Sequence, residues 1–180
     1  MAVLVEANSV IVRVQAIHER FAGGWAGFAG RVPNNTLCSD NEVARVGFMD
    51  PKDCRALVDD VERSGLTFLS EGHSKDIAVA DQTTGLTVPC DWLEVGHIEM
   101  RPGQKVAAVQ LKGTRSSQLF CPEGWTYERS LSREFALVPP QHLNKSLKFL
   151  RHQDGLDVYF NMLSGKKVFI GRPKTVIKDR

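Results

Sequence analysis

Residues 42–66 read EVARVGFMDPKDCRALVDDVERSGL, and this stretch decides the fold class. Glu42 to Met49 reads as a strand through Val43, Val46 and Phe48. A helix over about 51–64 follows. Asp50 stands at the N-cap, Pro51 at the first helical position, and Asp53 adds negative charge to the first turn. Cys54, Leu57, Val58 and Val61 fall on one face at the helical period. Gly65 supplies the left-handed stop and Leu66 the hydrophobic contact after it. Cys54 on that apolar face reads as an inert core thiol.

Upstream, Ser9–Val14 reads as a short buried strand, with Arg13 its one charged residue. Residues 15–29 place Ile17, Phe21, Trp25 and Phe28 at helical spacing, an aromatic stripe that reads as core packing. Gly23-Gly24 weakens this helix by about 1 kcal/mol per residue relative to alanine and marks where it breaks. Pro33-Asn34-Asn35 is a turn. Downstream, Thr67–Ser70, Asp76–Asp81 and Trp92–Met100 read as strands, and Lys105–Leu111 closes a hairpin across Pro102-Gly103. Residues 113–146 lose periodicity and carry Pro122, Gly124, Pro139 and Pro140, a long irregular connection. Leu147–His152, Leu156–Asn161 and Lys166–Gly171 then read as three strands joined by Asp154-Gly155 and Ser164-Gly165, both hairpin chemistry.

This order predicts a single α+β domain over 1–180: a core over 1–112, the connection over 113–146 and a β meander over 147–180. The core reads as an antiparallel sheet with two helices on one face, with a ferredoxin-like topology leading. Residues 43–98 also parse as βαβββ, and that element order resembles the half-unit of the vicinal-oxygen-chelate superfamily.

The 180 residues are 42% hydrophobic and 24% charged, a balance that excludes disordered and collagen-like chains. A chain this long removes roughly 70% of its unfolded surface from water and needs no metal or disulfide to fold. Net charge is +2, no electrostatic case for nucleic acid or an anionic membrane. The charge is uneven: residues 141–180 hold nine basic and three acidic side chains, while the rest carries an acidic excess. Such a basic end reads first as a solvated surface, with a weak phosphate or RNA contact as the alternative. Cys38, Cys54, Cys90 and Cys121 form no CxxC pair, and the N-terminus has no secretory pattern, so reduced thiols in a cytoplasmic protein are expected. No apolar run reaches the ~18 residues of a membrane helix. Walker A, GxSxG, HExxH and dinucleotide-binding patterns are all absent.

The richest chemical window is His73–Glu99. In the strand over 92–100, Trp92, Glu94, Gly96, Ile98 and Met100 share a face, which sets Glu94 in an apolar row; Asp81 continues the row of Ile77 and Val79. Were both rows core-facing on neighbouring strands, Asp81 and Glu94 would meet as a carboxylate pair fit for acid–base work. Asp81-Gln82-Thr83-Thr84-Gly85 reads equally as a strand end entering a turn, where an aspartate bonds its own backbone. His97 and Glu99 at i, i+2, joined by His73, form a candidate set for a divalent metal. Cys90 is a candidate nucleophile, though Asp91 beside it would raise its pKa. Trp92, Trp125 and Tyr127 are candidate anchors for a partner.

Two functions follow. The first is a non-catalytic module binding a protein partner or small ligand, without cofactor, with a homodimer among its forms. The second is a small metal- or carboxylate-dependent enzyme centred on Asp81, Glu94 and His97.

Overall fold

A computed structural model describes residues 1–134, 147–153, 156–161 and 166–171. In chain order its elements begin with β1 (Ala2–Val5), β2 (Asn8–Arg13), α1 (Val14–Arg20), α2 (Gly24–Ala29), β3 (Cys38–Ser39), β4 (Val43–Phe48) and α3 (Pro51–Arg63). They continue with β5 (Leu69–Ser70), β6 (His73–Ser74), β7 (Ile77–Asp81), β8 (Gly85–Leu86), β9 (Leu93–Arg101), β10 (Gln104–Leu111), β11 (Leu119–Phe120) and α4 (Leu131–Glu134). The last three are β12 (Leu147–Gln153), β13 (Leu156–Asn161) and β14 (Lys166–Gly171).

The capping chemistry of α3 works as its sequence predicts. Asp50 Oδ1 accepts from the Lys52 amide at 2.8 Å, and Cys54, Leu57, Val58 and Val61 are buried. Each such aliphatic side chain contributes about 1.5–3 kcal/mol by leaving water. Gly65 adopts φ +110°, and a Cβ there would come within 2.5 Å of the Arg20 carbonyl. The stop signal of α3 therefore also lets the ends of α1 and α3 touch. The stretch over 15–29 breaks where Gly23 and Gly24 take positive φ. The rings of Phe21 and Phe28 then meet edge to face, their centroids 5.7 Å apart.

The first sheet is antiparallel, in the order β3-β4-β2-β7-β8. Val10, Val12, Ala44, Val46, Phe48 and Ile77 form one face and pack with Ile17, Phe28, Leu57, Val58 and Val61 of the helices. Three helices thus cover this face, where the sequence predicts two.

The other face of the sheet is covered too. Ile11, Val43, Ala78 and Ala80 pack on Val3, Val5, Leu93, Ala107 and Val109. Those residues belong to a second sheet, in the order β11-β1-β10-β9. Strand β1, at only four residues too short to register as a periodic pattern, pairs antiparallel with β10 and parallel with β11. Leu4 and Val106 are fully buried, and α4 lies against β10. The result is three layers: helices, first sheet, second sheet.

Residues 43–98 do not form the single βαβββ sheet of a vicinal-oxygen-chelate half-unit. Strands β4 and β7 lie in the first sheet, β5 and β6 make a separate two-stranded ribbon, and β9 lies in the second sheet. Ala78 and Ala80 of β7 face Leu93 of β9 across the layers, and the two strands do not share a ladder. The C-terminal strands form the expected antiparallel meander, in the order β12-β13-β14. Among the described residues no helix is long and apolar enough to cross a membrane.

Candidate functional site

The carboxylate pair anticipated from the strand rows does not form. Asp81 ends β7 opposite Asn8, two positions beyond the Val79–Val10 pair, which puts it on the helix side of the first sheet. It is buried, and its Oδ1 accepts from the amides of Thr83 and Thr84 at 2.8 and 2.9 Å and from Thr84 Oγ1 at 3.1 Å. These bonds close the turn that the sequence 81–85 offers as the alternative reading. Glu94 lies in the other sheet, in the row that faces solvent, and accepts from Gln110 Nε2 at 3.0 Å. The inward row of β9 is Leu93 and Val95. Each row of this strand holds apolar residues, and packing against the first sheet selects the row that contains Leu93 and Val95.

Two of the three proposed metal ligands have local partners. His73 Nδ1 lies 2.9 Å from Asp91 Oδ2 at the surface. Glu99 accepts from the Gly103 amide at 2.9 Å and so braces the β9–β10 turn. His97 sits in the Leu93 row toward the exposed end of β9, where burial and the charge of Lys105 push its pKa down. Among the described residues, no three His, Cys, Asp or Glu side chains gather to hold a metal ion. Burial pushes the Cys90 thiol up, and Asp91 adds to that against the amides of Trp92 and Leu93. Such a thiol is a poor nucleophile near neutrality.

The anchor candidates are partly used by the fold. Trp92 donates from Nε1 to the Ser74 carbonyl at 3.1 Å, and the Arg13 guanidinium lies 5.6 Å from its ring centroid. Trp125 is half-buried, and its indole N–H is enclosed without a hydrogen-bond partner among the described residues. Half-buried Tyr127 opens a short 3-10 turn, and its carbonyl accepts from Ser130 Oγ at 2.7 Å.

The chain matches no family model, no curated protein and no solved structure.

Two features escaped the sequence reading. Arg45 lies in the middle of β4, between the two sheets, only 2% exposed. Its Nε donates to Ser9 Oγ at 2.9 Å, its Nη2 to the Glu6 carbonyl at 3.0 Å and its Nη1 to the Thr36 carbonyl at 3.4 Å. Burial lowers its pKa, opposed by the neighbouring Cys38 and Glu6. A Cβ on Gly47 would come within 2.5 Å of this guanidinium, so the glycine makes its room. The group bolts β2, the β1–β2 turn and the 34–36 loop together. Its signal in the sequence is a charge inside an apolar strand with a glycine two residues on.

The second feature is the exposed end of the meander. Phe149, Leu150 and Phe160 are 49%, 40% and 36% exposed. The Phe149 ring lies edge to face with Tyr159 at 5.5 Å and with His152 at 5.3 Å between centroids. Lys148, Arg151 and Lys167 are exposed around them. The cue was available: aromatic residues alternate with basic ones over 147–169.

Proposed function

We propose that this protein is a non-catalytic binding module and that its binding surface is the exposed end of β12 and β13. The observation that carries the reading is the exposure of Phe149, Leu150 and Phe160 on two adjacent strands. A fold that encloses even an arginine in its body has left three large apolar side chains in water here. Clustered apolar exposure rimmed by charge marks an interaction surface. A cytoplasmic setting goes with this reading, supported by four cysteines that are all free thiols. So does the ferredoxin-like assignment of the first sheet. It is supported by the order β7-β2-β4-β3 and by the run β2, α1 and α2, β3, β4, α3, β7 along the chain.

The test places a photoreactive benzoylphenylalanine at position 149, or at position 94 as control, and irradiates cells of the protein's own source. Adducts at 149, with none at 94, are the expected result. Adducts equal at both positions, none at 149, or only a band at twice the chain mass would overturn the reading of a dedicated surface for an outside partner.

A further inference from the structure

The register of the meander sets a row of three residues side by side across its strands. Lys148 of β12 stands opposite Phe160 of β13, and Phe160 stands opposite Lys167 of β14. All three are exposed. Directly opposed residues on neighbouring strands have Cβ atoms about 5 Å apart, so Phe160 has a lysine beside it on either strand. Farther along the same face, Val158 is fully buried. The opposite face of the same end carries the Phe149, Tyr159 and His152 rings. The sequence that contains the row, residues 141–180, holds nine basic and three acidic side chains.

We propose that the Lys148–Phe160–Lys167 row binds single-stranded nucleic acid, a base stacking on Phe160 and the lysines meeting the phosphates on either side of it. The inference rests on the binding-module reading and names the partner class for one face of that exposed end. The chemistry points to this class for three reasons. Cations alone would serve any polyanion, but a ring between two cations matches the repeat of a base between two phosphates. A duplex keeps its bases stacked on one another and out of reach of a ring on a sheet. An acidic protein surface needs the lysines and leaves the rings without a role. The overall charge of +2 hides this surface, because an acidic excess in the body offsets the basic end.

The experiment is fluorescence anisotropy of the full chain with labelled oligothymidylate. Competitors are a duplex of equal length, polyglutamate, and phosphatidylcholine vesicles containing phosphatidylserine. Tighter binding of the oligothymidylate than of every competitor is expected. Phe160→Ala should weaken it about 10-fold, and Phe160→Trp should restore it. Lys148→Gln with Lys167→Gln should lower the slope of log affinity against log salt by about 1.4, two phosphate contacts on a single strand. These side chains are exposed, so unchanged circular dichroism of the variants keeps the comparison fair. Equal affinity for duplex and single strand with no effect of Phe160→Ala would overturn the proposal, as would preference for polyglutamate or for the vesicles. Nuclease-resistant protein adducts at position 149, with no oligonucleotide binding, would sink this inference and leave the binding module standing. No adducts and no binding would sink both.

Discussion

The first sheet and the C-terminal meander are both antiparallel, yet they treat their side chains in opposite ways. Every residue of β4 and all but Arg13 of β2 are buried, because helices cover one face and the second sheet the other. Arg45, enclosed in β4, finds its acceptors inside the fold. In the meander, Lys148 to His152 are exposed on five successive positions, so neither face is covered at that end. The difference separates two roles. A polar group satisfied within the core acts on stability, whereas apolar area left in water has its stabilisation in reserve. Covering it later recovers about 25 cal/mol per Å².

The sharpest way to break this comparison is at Arg45. Arg45→Ala empties a buried site and takes a donor from three acceptors, so the unfolding free energy should fall by about 3 kcal/mol or more in urea titration. A loss under about 1 kcal/mol would mean that the guanidinium does not bolt the layers. Gly47→Ala should cost about 1–3 kcal/mol, since the pinned guanidinium cannot move aside without breaking its bonds. The double variant should then be less damaged than the sum of the two.

Asp81 and Glu94 separate next. Asp81→Ala leaves the Thr83 and Thr84 amides without their acceptor and should cost about 1–3 kcal/mol. Glu94→Gln should stay within about 0.5 kcal/mol of the parent. Equal effects from the two would return them to a shared site. Removing the α3 cap with Asp50→Ala should cost about 1 kcal/mol.

On the meander side, Phe149→Ala should leave the unfolding midpoint within about 0.5 kcal/mol of the parent, and a larger drop would make the ring part of the core. The smallest effect belongs to His97. Its pKa is lowered in the folded chain, so its contribution to stability is present above about pH 6.5 and is lost as pH falls through the folded value. His97→Gln should therefore narrow the difference in melting temperature between pH 8 and pH 5, by no more than about 1 °C for so exposed a group. An unchanged difference would show that folding does not shift the pKa of this ring.

Much of the fold is written in local chemistry. The α3 cap and stop, the glycine break between α1 and α2, and the three meander strands are legible because capping, positive φ and hairpin turns act within a few residues. The Asp81 turn is legible for the same reason. The carboxylate pair failed because a strand has two faces and β9 is apolar enough on both to allow either inward. The metal set failed because His73 and Glu99 have local partners, in Asp91 and the Gly103 amide.

By itself, then, the sequence determined the longer helices and strands and their turns, and missed short elements such as β1, β11 and α4. Only the tertiary structure decided which sheet each strand joined, which row of β9 faced inward, that Arg45 would be enclosed, and that Lys148, Phe160 and Lys167 would stand in one row. The physical reason is range. Caps and turns are settled by bonds between near neighbours, whereas burial and cross-strand pairing depend on partners many residues away that short-range patterns do not specify.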